Sequence, residues 1–512
     1  MKLIVFPVLF FLSTLSCLAD TITISGKFML PEIDQAELVL LYGDRHYKIP
    51  SYKISGDADG KFSENIPLKH SVFAMLKYNN SERKILLTPG RSINIVFNNK
   101  ENGLFTIEGK GAEENNILAN TVIQQAPEFA MGKWDPESGS FIEEFPYTKL
   151  DVEGFNKKIM QQISEEILKT EKNLDASELP DYLKKIIKSE LRYAYQGYLN
   201  DFSTNMLRRV KNPAADSLNQ LIIDWQPMPE GSHLKTGFYA NMAMDFHINN
   251  KFLKLVKKSK GGNPYEIIAD FLGSSIQTID SLVSLYGENP VLPWLFARSQ
   301  LPEDAQEKLL FNKILYAAHN DYPSVLKYLT EIQSKYFPDS YYRDFSKSYL
   351  EDINKKLSAA KDNKAIKFHN ADTLVSIEKI TSAYKGKIIY LDIWGIWCGP
   401  CRVEMEYTTG LKERFKNRED IVFLYLHMDD DVKIPEWKEY VYLKNIEGEH
   451  YHMNNNKIQP IWEEIKAAGG KTNIYPTYII ISREGNIIST TAERPSSAEK
   501  LYNQLEKILE EK

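Results

Sequence analysis

The sequence predicts a multidomain protein with an N-terminal all-β, sandwich-like domain, an α-helical middle domain and a C-terminal α/β domain. The chain has 512 residues, which is too long for one core of ordinary size. Short alternating apolar runs separated by turns come first, and apolar residues spaced three and four apart follow. Beyond residue 365, continuous apolar runs alternate with helical patterns, as in a sheet covered by helices.

Residues 1–19 have the pattern of a signal peptide. A single lysine precedes an apolar run, and Cys17-Leu18-Ala19 offers small residues for cleavage before Asp20. The run is too short and too often interrupted by Ser and Thr for a transmembrane anchor. Leu15-Ser16-Cys17 also resembles the end of a bacterial lipobox, so lipidation of Cys17 is the alternative to simple cleavage.

Residues 20–111 predict the β-domain. Strong strand patterns lie at 36–42, 71–78 and 92–97, with Gly- and Pro-containing turns between them. Strands this short and this regularly spaced are typical of a sandwich or a small barrel.

Residues 112–358 predict the α-helical domain. Apolar residues recur at helical spacing, as at Phe155, Ile159, Ile163 and Ile167. The polar stretch 358–364 marks the next boundary.

Residues 365–512 predict the α/β domain. Buried strands are expected at 388–394, 421–426 and 477–481, and a helix is expected at 399–416. Ser496 is the expected cap of a final helix that runs to residue 511.

The balance of charged residues and the cysteine count argue against two classes of protein, nucleic-acid-binding proteins and disulfide-rich scaffolds. There are 63 basic and 69 acidic residues, and this mild acidic excess gives no support for a nucleic-acid-binding protein. Three cysteines cannot make a disulfide-rich scaffold. His450 and His452 are expected in a solvated polar loop, Asp429–Asp431 are expected to be exposed, and we expect no metal site.

The chemistry is concentrated in Trp397-Cys398-Gly399-Pro400-Cys401, between a buried strand and a helix. The spacing of the cysteines places both sulfurs near the first helical turn. Cys398 would lie at the N-terminal end, where free N–H groups and the helix dipole favour a thiolate. The alternatives are a structural disulfide or half of a zinc site, but zinc requires about four ligands and no second cysteine pair exists.

The C-terminal region resembles the TlpA/ResA-like thiol-disulfide oxidoreductases of the thioredoxin superfamily. The resemblance rests on WCGPC within the stretch 386–404 and on Tyr475-Pro476-Thr477, which is similar to the family's cis-proline loop. It implies a thioredoxin fold for residues 365–512. The order of a small β-domain, helices and this module is similar to Bacteroidetes members of the family.

The resemblance also implies roles for individual residues. Cys398 would attack the partner and Cys401 would resolve the mixed disulfide. Asp392 resembles the buried carboxylate of thioredoxin itself, where many TlpA-like relatives carry Asn, and would take up the proton of the second cysteine; an edge-exposed aspartate without a role is the alternative. Glu404 resembles a family position but could equally lie on a solvated helix face. The residues expected to contact the substrate are Trp397, Gly399, Pro400, Tyr475, Pro476 and Thr477.

The sequence thus predicts an exported thiol-disulfide oxidoreductase that reduces protein disulfides in the periplasm or cell envelope. Its only redox group would be the Cys398–Cys401 disulfide, with no further cofactor. The expected partners are protein thiols and disulfides and a membrane or periplasmic thiol protein that donates electrons. A non-catalytic envelope binding protein, or a disulfide oxidase or isomerase, is the alternative.

Overall fold

The computed structural model describes residues 21–29, 35–43, 50–79, 81–98, 105–130, 134–135, 140–141, 146–207, 210–225, 231–260, 262–371 and 376–511. The predicted signal segment 1–19, with Cys17, lies outside the described residues. No helix in the described part of the chain is long and apolar enough to cross a membrane. The chain forms two compact units: Met1–Gly273 with Pro293–Leu315, and Ser274–Leu292 with Tyr316–Lys512.

The first unit contains the N-terminal sheets. Their strands are β1 (Thr21–Phe28), β2 (Gln35–Leu40), β3 (Ser51–Ser55), β4 (Lys61–Pro67), β5 (Val72–Tyr78), β6 (Ser81–Leu87), β7 (Ile93–Phe97) and β8 (Phe105–Glu108). Two four-stranded sheets result, in the orders β4-β1-β7-β8 and β3-β2-β5-β6. Tyr78 of the second sheet packs on Phe28 and Phe97 of the first, with ring centroids 5.8 and 4.5 Å apart. The two sheets therefore share an aromatic core, as in a sandwich.

The helical middle region is present, but it does not form a compact unit of its own. A short two-stranded ribbon, β9 (Trp134–Asp135) and β10 (Ser140–Phe141), lies within it. Its helices are α1 (Ala112–Leu118), α2 (Val152–Phe155), α3 (Gln161–Ala176), α4 (Asp181–Asp201), α5 (Ala215–Asp224), α6 (Ala240–Lys258), α7 (Pro264–Leu272), α8 (Ile276–Tyr286), α9 (Glu288–Gln300), α10 (Glu303–His319), α11 (Pro323–Tyr336) and α12 (Arg343–Ala360). Helices α1–α7 belong to the first unit, whereas α8, α11 and α12 belong to the second. The domain boundaries at 112 and 358 thus stay predictions.

The second unit is built on a six-stranded sheet. Its strands are β11 (Ile366–His369), β12 (Ile388–Trp394), β13 (Ile421–Met428), β14 (Gly448–Met453), β15 (Thr477–Ile481) and β16 (Ile487–Ser489). The order is β11-β14-β13-β12-β15-β16, and only β15 and β16 pair antiparallel to their neighbours. The helices are α13 (Ile377–Thr381), α14 (Gly399–Met405), α15 (Thr408–Phe415), α16 (Ile434–Leu443), α17 (Gln459–Ala467) and α18 (Glu499–Glu510).

Strand β12 occupies the centre of this sheet. All seven of its residues are buried, because it pairs with β13 on one side and β15 on the other. One face packs in a core that contains Cys398 and Cys401, and the opposite face packs in a second core under α17. The near-continuous apolar sequence of β12 reflects this burial on both faces.

Two helix predictions for this unit were wrong. The stretch 399–416 is two helices, α14 and α15, separated at Glu406 and Tyr407. The final helix begins at Glu499, and Ser496 does not cap it. Instead the Ser496 backbone N–H and hydroxyl both donate to the Glu404 carboxylate at 2.9 Å.

The turn between α10 and α11 is bonded to the redox helix α14. Arg402 Nη1 donates to Asn320 Oδ1 at 2.8 Å and to the Tyr322 hydroxyl at 2.9 Å, and Nη2 donates to Asn320 O at 3.1 Å. The guanidinium also lies over the rings of Tyr322 and Tyr440, 5.1 and 5.5 Å from their centroids. Residues before 365 therefore contribute directly to the packing of the redox helix.

Replacing Arg402 with Ala should destabilise helix α14 by about 2 to 4 kcal/mol, because three hydrogen bonds and two ring contacts are lost together. The measurement is hydrogen exchange of peptides from α14 in the full chain. Arg414→Ala is the matched control, since Arg414 makes a half-exposed ion pair with Glu506 whose loss costs about 1 kcal/mol or less. Equal exchange in the two variants would contradict the prediction.

Candidate active site

The site forms where β12 ends and α14 begins. Cys398 is the residue that caps α14, and Cys401 lies in its first turn, joined to Cys398 by a disulfide. The Cys401 backbone N–H donates to Cys398 Sγ at 3.2 Å. Both cysteines are buried, Cys401 fully and Cys398 to 4% exposure. The sulfur of Cys398 is therefore the one that faces the unpaired N–H groups of the helix.

An exposed rim surrounds the disulfide. Trp397, 52% exposed, donates from its indole N–H to Met428 O at 3.0 Å, and Gly399 and Pro400 beside it are also exposed. Gly395 permits this arrangement, since a Cβ at that position would lie 2.5 Å from Trp397 Nε1. The active-site loop is thus held close to the end of β13 while Trp397, Gly399 and Pro400 stay exposed.

The Tyr475–Pro476 loop lies against this rim. The peptide bond between the two residues is cis. The Tyr475 ring meets the Trp397 indole edge to face, with centroids 5.0 Å apart. Thr477 opens β15, and its hydroxyl donates to Ile474 O at 2.7 Å. The fold therefore brings the two sequence motifs into contact through Trp397 and Tyr475, which are far apart in the chain.

Asp392 is buried at the centre of the sheet, with only 1% exposure. The alternative of an edge-exposed aspartate is wrong, because β12 has a neighbouring strand on each side. Tyr425 and Tyr478 are its register partners, and among the described residues Oδ1 has no hydrogen-bond partner. Residues alternate across a strand, so Asp392 shares the face of Tyr390 and Trp394, the face that packs with the cysteines.

Burial raises the pKa of Asp392 well above its usual value, and the charge of Glu404 raises it further. Glu404 is itself buried, so the solvated-face alternative for this residue is wrong. It accepts the two bonds from Ser496 and one from Arg494 Nη1 at 3.5 Å. Two buried carboxyl groups therefore lie in this part of the domain. Ser496 and Arg494 supply hydrogen bonds to Glu404, whereas Asp392 Oδ1 has no partner among the described residues.

Histidines near the site differ from expectation. His450 and His452 lie on strand β14 rather than in a polar loop, and His450 is fully buried. Their two-residue spacing matches a strand and could have indicated this. Burial lowers the pKa of His450 to about 3, whereas hydrogen bonding to Ile446 O opposes that shift.

The acidic run after β13 is also only partly exposed. Asp429 is half-buried, and burial raises its pKa to about 6. Asp430 and Asp431 are exposed, as expected. Among the described residues, no group of three or more histidine, cysteine or acidic side chains could hold a metal ion.

The prediction from the sequence did not include Arg402 and His427 among the residues of the site. His427 lies on β13 one residue beyond the predicted strand, at the same sheet edge as the active-site loop, and it is fully buried. Extending that strand to its true end would have placed His427 beside the motif, since carboxyl ends of parallel strands meet at one edge. Nothing in the sequence indicates the distant partners of Arg402.

Comparison with known proteins agrees with this geometry. The Redoxin family model matches residues 355–505. The thiol-disulfide oxidoreductase ResA of Bacillus thuringiensis subsp. konkukian is 28% identical over 126 residues, and ResA of Bacillus cereus matches equally. Each match covers 24% of this chain and 65% of the relative, so the chain spans less than two thirds of these relatives.

Solved structures each match about a quarter of the chain. The solution structure of a candidate thiol-disulfide oxidoreductase from Bacteroides vulgatus is 33% identical, covering 25% of this chain and 78% of that chain, with a TM-score of 0.21. A thioredoxin-family thiol:disulfide interchange protein from Chlorobium tepidum is 21% identical, covering 24% and 83%, with a TM-score of 0.21.

The central strand, the helix that follows it and the disulfide at its N-terminus define a thioredoxin-like domain. Together with the Redoxin match and the ResA matches, they support a TlpA/ResA-like thiol-disulfide oxidoreductase domain in the C-terminal region. The resemblance inferred from the motif is thereby confirmed.

Replacing Asp392 with Asn should stabilise the second unit at neutral pH. The pKa of Asp392 is raised in the folded state, so the folded chain holds its proton more tightly than the unfolded chain. Stability therefore falls as pH rises from about 4 through the folded-state pKa. Asn removes this loss, which is about 1.4 kcal/mol for each unit by which the pKa is raised.

Urea unfolding of wild type and Asp392→Asn between pH 4 and pH 8 provides the test. The difference in unfolding free energy should grow with pH in favour of the variant. Asp344→Asn, at an exposed position on α12, is the control and should follow the wild type at every pH. Parallel curves for wild type and Asp392→Asn would mean that Asp392 titrates normally.

Proposed function

We propose that the chain reduces disulfide bonds of partner proteins by thiol-disulfide exchange at Cys398 and Cys401. The observation that carries the proposal is the Cys398–Cys401 disulfide at the N-terminus of α14, packed in the same core face as the buried Asp392. A structural disulfide has no need of an unpaired buried carboxyl group on that face or of an exposed aromatic rim.

The reaction starts from the reduced dithiol. The Cys398 thiolate attacks one sulfur of the partner's disulfide; a mixed disulfide forms, and the partner's other sulfur leaves as a thiolate that takes up a proton. Cys401 then loses its proton, and its sulfur attacks Cys398 Sγ. The internal disulfide forms and the partner leaves as a dithiol, having gained two electrons and two protons.

The helix N-terminus supports the first step. The Cys401 N–H points at Cys398 Sγ, and the helix dipole lowers the free energy of a negative charge there. Asp392 supports the second step as the acceptor of the Cys401 proton. Its raised pKa brings its titration towards the pH at which a thiol must be deprotonated.

The rim supplies the contact surface for the partner. Trp397, Gly399 and Pro400 are exposed on one side of Cys398, and the loop Tyr475–Thr477 lies against Trp397 on the other. An extended partner segment that carries a cysteine could pair with the backbone beside Pro476, in the manner of an added strand.

The proposed direction of electron flow is reduction of the partner. Gly399-Pro400 between the cysteines resembles the dipeptide of thioredoxin, which has a low potential. A membrane or periplasmic thiol protein would re-reduce the disulfide, and the disulfide itself is the proposed redox group. Export to the periplasm or cell envelope, with or without lipidation of Cys17, remains a prediction from residues 1–19.

Cysteine variants test the exchange cycle. Cys398→Ser should reduce insulin disulfides no faster than buffer, because the attacking sulfur is gone. Cys401→Ser should instead accumulate a covalent adduct with the partner, since the resolving sulfur is missing. Non-reducing gel electrophoresis and insulin turbidity are the measurements. Full insulin-reducing activity in Cys398→Ser would contradict the assignment of Cys398 as the attacking thiol.

Asp392→Asn tests the proton acceptor. The variant should turn over more slowly by a factor on the order of 100 at neutral pH, because Cys401 loses its proton acceptor. The wild-type rate should rise as Asp392 ionises, and this limb of the pH profile should be absent from the variant. An unchanged profile would remove Asp392 from the reaction.

A further inference from the structure

The loop in front of Cys398 is held by the end of β13. The peptide group between Gly395 and Ile396 is bonded on both sides. Its carbonyl accepts the Cys398 N–H at 3.0 Å, and its N–H donates to His427 Nε2 at 3.4 Å. The bond from Trp397 to Met428, the residue after His427, adds a second attachment. The position of the Cys398 backbone is therefore linked to His427 through a single peptide group.

The hydrogen-bond partners determine the tautomer of each ring in this cluster. A backbone N–H can only donate, so His427 Nε2 accepts and the neutral ring carries its proton on Nδ1. That nitrogen is 2.9 Å from His452 Nδ1, which must then accept. The proton of His452 is consequently on Nε2, which is 3.2 Å from Asp431 Oδ1. The two rings therefore form a hydrogen-bond chain and donate in the same direction, from His427 to His452 and from His452 to the exposed side chain of Asp431.

The surroundings keep both rings neutral at pH 7. His427 is fully buried, stacks on Trp437 with centroids 5.1 Å apart, and lies edge-on to Trp394. Burial lowers the pKa of His427 well below its usual value, and the neighbouring His452 and His450 lower it further.

His452 is the ring closer to solvent. Burial lowers its pKa, Asp431 and Asp430 oppose this shift, and Lys457 adds to it. Because the net shift is downward, His452 takes up a proton at a lower pH than an ordinary histidine does.

We propose that His427 is a positioning residue for Cys398, and that His452 and Asp431 hold His427 in the tautomer that this task requires. The proposal rests on the thiol-exchange function proposed above. A proton bound at His452 Nδ1 would oppose the Nδ1–H of His427. If His427 moved its proton to Nε2, that N–H would oppose the N–H of Ile396. Protonation of His452 therefore breaks the chain and makes the reactivity of Cys398 sensitive to pH.

Two substitutions separate the roles of the rings. His452→Asn keeps an acceptor oxygen for His427 Nδ1–H but does not titrate. His427→Leu removes the acceptor for Ile396 at every pH, whereas His427→Gln keeps an acceptor and loses the link to His452. His369→Gln is the matched control, since it removes a partly exposed histidine of the same sheet that is bonded to Glu449 at 2.5 Å.

The readout is the rate at which iodoacetamide alkylates Cys398 in the reduced full chain, followed by mass spectrometry from pH 5 to pH 8. The ratio of the wild-type alkylation rate to the His452→Asn rate should be near one at pH 8. Below the pKa of His452 this ratio should fall by about threefold to tenfold, because one hydrogen bond is lost in the wild type. His427→Leu should be slow throughout, His427→Gln should lack the fall at low pH, and His369→Gln should match the wild type.

Nitrogen NMR of histidine-labelled protein at pH 7.5 tests the chain without any reaction. The expected result is a proton on Nδ1 of His427 and on Nε2 of His452. A proton on Nε2 of His427, or a wild-type to His452→Asn rate ratio that does not change with pH, would overturn the inference. Failure of insulin reduction with both results as expected would instead contradict only the proposed function.

Discussion

Burial of strand β12 on both faces is the constraint on which the rest of the site depends. Because β13 and β15 satisfy its backbone on both sides, the strand has no freedom to shift, and its carboxyl end has one fixed position. Asp392 is carried into the core by that strand, and the WCGPC loop leaves it at the sheet edge. The buried carboxyl group of Asp392 and the two sulfurs are thereby positioned by a single element.

Two different parts of the unit hold the active-site segment: the end of a neighbouring strand and a turn between two helices. On one side, Trp397 donates a hydrogen bond to Met428 O, and the Ile396 N–H donates to His427 Nε2. Both acceptors lie at the end of β13. On the other side, Arg402 ties α14 to the turn between α10 and α11. Hydrogen bonds thus fix the ends of the redox segment, whereas the rim between them remains exposed. Such a division keeps the sulfurs in place and leaves the rim accessible.

The redox unit is larger than the family match. Helices α11 and α12 precede the thioredoxin-like sheet in the chain, yet they belong to the same compact unit, and Lys444 pairs with Asp321 at 3.0 Å within it. Ser324 likewise donates to Glu439 at 3.1 Å. A boundary at residue 365 follows the change in sequence pattern, but the packing of α14 and α16 reaches back to residue 320. Composition shifts mark changes in secondary structure, which need not coincide with changes in packing.

The sequence by itself determined the three regions, the central strand β12, the redox motif and the burial of Asp392. Each of these features depends on residues that are close together in the chain. The periodicity of apolar residues indicates which faces are buried, and a motif of five residues specifies the turn from strand to helix. Only the tertiary structure decided that His450 and His452 lie on a strand, that Glu404 is buried against Ser496, and that His427 bonds to Ile396. Each of these depends on contacts between residues far apart in the chain, and a single sequence carries no record of which distant residues will meet.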